Sequence, residues 1–159
     1  MRKTARQIAT VIGDDSWRKI GTCWRVCRSA GLSAQTYARA AELGEWYDRH
    51  ERPSRVADIV YGMALYRLGR YEEARQRLEA AEVITGGDAT GLAFLAMSRH
   101  ALGDREGANV ATAALKAMIA REHLDDDPDM RMFIQQVNGV LGERSASDAA
   151  RRLRTVRQD

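Results

Sequence analysis

Apolar residues recur at helical spacing along nearly the whole chain, and no stretch alternates with the period of a strand. A first segment, about Arg2 to Ile12, carries Ile8, Val11 and Ile12 on one side. Asp14, Asp15 and Ser16 offer caps for a helix reaching about Ala30, with Trp17, Ile20, Trp24 and Cys27 on one stripe and Gly31 as its stop. Ser33 caps a third helix through Tyr37, Ala40, Ala41, Leu43 and Tyr47, ended by the charged stretch from Asp48 to Arg52 and by Pro53. Ser54 opens a fourth, through Val56, Ile59, Val60, Met63 and Leu65 to Leu68. Gly69-Arg70 turns the chain into a helix from Tyr71 to about Ile84, with Ala74, Leu78 and Ala81 inward. Gly86-Gly87-Asp88 breaks the chain, and helices at about Ala89 to Leu102 and Arg105 to Arg121 are parted by Gly103-Asp104. Asp127 and Pro128, a cap and a first-turn proline, begin a helix carrying Met130, Phe133, Ile134, Val137 and Leu141 that stops near Gly142. Ser145 or Ser147 caps a last basic helix through Ala149, Ala150, Leu153 and Val156. The pattern predicts an all-α protein.

The chain also repeats. A shift of 34 residues lays Met63 on Met97, Leu68 on Leu102, Gly69 on Gly103, Glu72 on Glu106, Ala74 on Ala108 and Ala80 on Ala114, with Gly62 on the equally small Ala96. Each copy reads as a helical hairpin. Gly62 or Ala96 permits close helix approach, Gly69 or Gly103 permits the turn, and Ala74 or Ala108 is the small contact on the returning helix. A valine at Gly69 is expected to damage folding by crowding that turn. Each hairpin exposes an apolar face that only a neighbour can bury, so stacking follows.

This pattern resembles the tetratricopeptide repeat family over residues 55–121, in the form found in modules attached to bacterial signalling kinases and multidomain proteins. Ala81 matches the family's later alanine, Leu115 replaces it in the second copy, and Gly86 stands where the family has a repeat-end proline. The resemblance implies an all-α right-handed superhelix of hairpins. It implies one domain over 1–159, with atypical N-terminal helices at 1–54, two well-matched hairpins at 55–121 and C-terminal capping helices at 122–159. It further implies that the first helix of each hairpin lines a concave groove for a peptide or partner helix. The matching positions are Val56, Ile59, Met63, Tyr66 and Arg67, then Thr90, Ala93, Met97, His100 and Ala101. Methionine and aromatic residues at such spacing are more often core, yet Met63/Tyr66 and Met97/His100 recur at matching offsets. The Lys/Asn clamp of some family members is not reproduced, which argues against capture of an acidic C-terminal peptide.

Composition adds one feature. The 159 residues carry a net charge of +3, unevenly spread. Residues 1–30 hold a net +5, residues 31–143 a net −5 and residues 144–159 a net +3. The acidic body therefore has two basic, arginine-rich ends. Arg18, Lys19, Arg25 and Arg28 beside Trp17 and Trp24 form a candidate basic contact face, but the Trp17-to-Cys27 stripe reads first as core with basic residues on its solvated side.

Other chemistry finds no support. Cys23 and Cys27 lie four apart on one helix, a poor fit for a disulfide, and with His50 they lack the spacing and fourth ligand of a metal site. The run from Asp125 to Asp129 has Met130 where a calcium loop needs glycine and Gln136 where it needs glutamate. Gly86-Gly87 lacks the residues of a phosphate loop, and no serine sits in a nucleophile pattern. Neither a secretion signal nor an apolar run of membrane length is visible, so the cytoplasm is expected. The expected function is a non-catalytic protein-interaction scaffold without cofactor, metal or membrane contact. Two alternatives remain: a small assembly or secretion chaperone of the type III kind, and a nucleic-acid-associated regulator acting through the basic ends. Those ends could also pair with a second copy in a homo-oligomer.

Overall fold

A computed structural model describes residues 16–50, 54–85 and 88–155, with the side chains of 16–18, 84–85, 129 and 143–155 outside the description. The segment expected from Arg2 to Ile12, the breaks at Pro53 and Gly86-Gly87, and Val156 lie outside the described residues. The described chain is helical, with no strand among those residues. The helices are α1 Ser16–Arg28, α2 Ala34–His50, α3 Arg55–Arg67, α4 Tyr71–Thr85, α5 Ala89–Ala101, α6 Arg105–Glu122 and α7 Pro128–Thr155, with a 3₁₀ turn at Leu124–Asp126 before the last.

The expected final pair of helices is one helix. Gly142 has no left-handed backbone to end it, and a glycine inside a helix costs only about 1 kcal/mol relative to alanine. The other boundaries follow local chemistry. The Ser33 hydroxyl accepts from the Thr36 amide at 3.2 Å. Asp88 accepts from the Thr90 and Gly91 amides, and Asp104 from the Gly107 amide. Ser54 occupies its cap position without a side-chain bond, so the sequence cue places the helix start by conformation alone.

The 34-residue repeat reappears in the hydrogen bonds. The Arg70 amide donates to the Leu65 carbonyl and Gly69 to Tyr66; one repeat later, Asp104 donates to Arg99 and Gly103 to His100. Both are Schellman caps closed by a left-handed glycine, φ 77° at Gly69 and 84° at Gly103. A Cβ at Gly69 would meet nothing within 4 Å. The expectation of a crowded turn is therefore corrected: glycine is needed there for its backbone angle. Close approach is instead the role of Gly62, where a Cβ would lie 2.6 Å from Leu78 Cγ, and of Gly44, where it would lie 2.5 Å from Tyr61 Cβ.

The helices pack as adjacent pairs, α3 with α4 and α5 with α6, and α2 lies against α3. The odd-numbered helices also touch in succession: α1 on α3, α3 on α5 and α5 on α7. Residues 59–65 of α3 and 89–98 of α5 are buried without interruption, so these two helices form the centre of the core. Tyr37, Ala40, Ala41, Leu43 and Tyr47 of α2 are buried as expected. Polar ties bind the outer helices. Arg77 on α4 bonds Asp48 on α2 at 2.7 Å. Arg99 on α5 bonds Glu79 on α4 and the Gly107 carbonyl on α6.

Candidate functional site

The residues expected to line an open groove divide sharply. Ile59, Met63, Ala93 and Met97 are 0–2% exposed and belong to one core cluster. Their assignment to an accessible groove surface is corrected. The recurring methionines recur because the hairpins share a core, with α1 packed on α3 and α7 on α5. Thr90 is buried as well. Val56, Tyr66, Arg67, His100 and Ala101 are half-buried.

Rings and guanidinium groups close this side of the molecule. Tyr66 on α3 meets Phe94 on α5 edge-on at 5.4 Å, and Phe94 stacks on Phe133 of α7 at 5.8 Å. The Arg67 guanidinium lies 5.1 Å from the Phe94 centroid. Its Nε donates to the Cys27 carbonyl and Nη2 to the Arg28 carbonyl, both at 2.9 Å. A cation at those carbonyls also meets the negative end of the α1 dipole. Burial pulls the Arg67 pKa below its ordinary value, which for arginine still leaves the group charged. Arg28 completes the circuit, its guanidinium carbon 5.0 Å from the Phe133 centroid. The first and last of the odd-numbered helices are thereby joined.

Arg28 also lines two clefts. One, of about 430 Å³, is lined by Arg25, Arg28, Ser29 and Ala30 at the end of α1 and by Met132, Phe133 and Gln136 on α7. None of the described residues lining it is acidic. Met132 is 70% exposed, while Phe133 beneath Arg28 is 5% exposed. The other, of about 320 Å³, includes Trp24, Arg28, Arg55, Asp88, Glu122 and Met130. A third cleft places His100 beside Arg105, Asn109 and Thr112. Of the expected basic face, Arg25 and Arg28 reach the first cleft. Lys19 is half-buried elsewhere on α1, and the Arg18 side chain lies outside the described residues.

Sequence reasoning missed Met132 and Gln136. The available signal was an apolar residue off the core stripe of Phe133 and Val137 on a terminal helix. It also missed the sealing of α3 and α5. There the signal was the absence of charge from 59–66 and from 89–98, since a helix apolar all round is a buried one.

The cysteines are free. Burial, with the neighbouring Cys23, pushes the Cys27 thiol up to about 12 against the opposing Arg67, and burial raises Cys23. Among the described residues no three His, Cys, Asp or Glu side chains gather as a metal site would require. Asp127, in the acidic run, caps α7 by accepting from the Met130 amide at 3.3 Å. No helix among the described residues is long and apolar enough to cross a membrane. No family model, curated protein or solved structure matches the chain.

Proposed function

We propose that this chain is a non-catalytic interaction module of tetratricopeptide-repeat type, a right-handed stack of helical hairpins that receives a peptide or partner helix. The 34-residue period and the matching glycine caps support the repeat reading. The observation that carries the binding reading is the α1–α7 cleft, where a 70% exposed methionine and two arginines converge. The receiving surface is this cleft, in place of the buried Met63 and Met97 row. Methionine suits such a surface because its unbranched side chain adapts to different apolar partners. Two free cysteines fit a reducing compartment, and we place the module in the cytoplasm.

The test is affinity purification from the native host with the wild-type chain and with Arg25→Glu/Met132→Glu. Both positions are exposed, so the variant should keep its helical circular dichroism and melting temperature. A partner recovered with the wild type and lost with the variant is the expected result. Recovery of the same proteins by both would remove the cleft from the function.

A further inference from the structure

Independently of the interaction-module reading, we propose that the outer face of α7 is a docking surface for a second copy of this chain, with the two α7 helices lying antiparallel. Helix α7 runs from Pro128 to Thr155 and packs on the body through one stripe. Phe133 and Val137 are buried, and Met130, Val140 and Leu141 rest against the core. Carried on at the same spacing, that stripe reads Arg144, Asp148, Arg151 and Thr155, so its apolar character ends at Leu141. A second stripe continues. Met132, Gln135, Gly139 and Gly142 recur at three- and four-residue steps on the opposite side of the helix, and all four are exposed. The same steps lead on to Ala146, Ala149 and Leu153. Alternating steps of three and four, held over three heptads, are the register of a helix that lies along another helix. The glycines add an independent observation. Inside the molecule, a Cβ at Gly44 or Gly62 would fall 2.5 or 2.6 Å from a side chain of the helix that crosses there. At Gly139 and Gly142 a Cβ would meet nothing within 4 Å. Each costs helix stability relative to alanine, and no contact within this chain uses the space it leaves.

Shape and charge select a second copy over a foreign helix, because α7 complements itself. With a two-fold axis between Val140 and Leu141, Met132 faces Ala149 of the second copy, Gln135 faces its Ala146 and Gly139 faces its Gly142. A small residue stands in every such layer, so the helix axes can approach closely along facing segments ~39 Å long. Residues 143–155 carry Arg144, Arg151, Arg152 and Arg154 against Glu143 and Asp148, while the start of the helix follows Asp125 and Asp126 and includes Asp129. The antiparallel arrangement sets the basic end of each α7 beside the acidic start of the other. A parallel one would set basic on basic and acidic on acidic. The net charge of +3 on each copy opposes any pairing, but at physiological salt it is screened beyond about 8 Å, which leaves the decision to the local pattern. Of the described stripe only Met132 also lines the α1–α7 cleft, so the two surfaces can be separated by mutation.

The test uses the full chain. Sedimentation velocity over a concentration series should show a monomer–dimer equilibrium. Gly139→Glu, which sets a charge on each side of the two-fold axis, should raise the dimer dissociation constant at least about tenfold while the helical circular dichroism is kept. Leu153→Asp should do the same from the far end of the stripe. Arg151→Glu/Arg154→Glu should also weaken the dimer, although it lowers the magnitude of the net charge, because acidic side chains then lie beside acidic ones. Oxidative cross-linking of mixed single variants reads the orientation, with the wild type as control for Cys23 and Cys27. Met132→Cys should bond to Ala149→Cys of the other copy and not to itself. A monomer at every concentration, or a dimer that both Gly139→Glu and Leu153→Asp leave unchanged, would overturn the proposal. Met132→Cys bonding to itself would overturn the antiparallel arrangement. A foreign protein held by a monomeric wild type and lost with Gly139→Glu would overturn the second copy in favour of a foreign helix.

Discussion

Met63 and Met132 lie on helices of the same kind and meet opposite fates. Met63, at the centre of α3, is fully buried in a core that runs into α5, while Met132, on the last helix, is 70% exposed beside two arginines. In the middle of the molecule every odd-numbered helix has neighbours on both sides, and its apolar positions become core. At the edge no further described helix lies alongside Met132, and this apolar residue stays exposed. The lesson is that matching repeat positions mark shared packing, whereas exposed apolar surface remains where the packing stops.

The sharpest way to break this contrast is to place a charge at each methionine. Met63→Glu should unfold the protein, since an isolated carboxylate has no partner in that core; Met63→Ala should already cost about 2–5 kcal/mol. Met132→Glu should shift stability by less than about 0.5 kcal/mol. Urea unfolding followed by circular dichroism measures all three, and a folded Met63→Glu would show that the centre is open after all. Next come the helix contacts. Gly44→Ala should destabilise by about 1–3 kcal/mol, because its Cβ would press on the Tyr61 Cβ and backbone. Gly62→Ala presses on the buried Leu78 side chain in place of a backbone Cα, and gains helix propensity, so its loss should fall at the lower end of that range.

The turns should respond alike in both hairpins. Gly69→Ala and Gly103→Ala should each cost about 1–2 kcal/mol through the left-handed backbone, and Gly69→Asn less. Unequal losses in thermal melts would show that the caps are not equivalent. The smallest effect is electrostatic. Burial pushes the Glu82 carboxyl above its ordinary value, with Arg99 opposing, and does the same to Asp58 against Arg77. The folded state then holds a proton that the unfolded state has released. Stability should therefore rise as pH falls from neutral through the raised value toward the ordinary carboxylate range. Glu82→Gln should raise stability slightly at neutral pH and flatten that slope, leaving the part due to Asp58. Urea midpoints across that pH window test this, and an unchanged slope would remove Glu82 as its source.

Much of the architecture was legible in particular residues. Gly69 and Gly103 mark the turns because few other residues adopt their backbone angle, and Pro128 marks a helix start because it lacks the amide a helix interior needs. The end of α7 was not legible, because Gly142 can either stop a helix or sit within one. The candidate site was half-visible. Arg25 and Arg28 stood out as basic residues, but their cleft needs Met132 and Phe133, more than one hundred residues away.

Local chemistry along the chain was enough to determine most of the helices, their repeat and their turns, because caps, periodicity and backbone angles are settled within a few residues. Tertiary packing alone decided which repeated positions became core and which stayed exposed. That outcome depends on whether another helix lies alongside, and here Arg67 and Arg28 bring the first and last odd-numbered helices together.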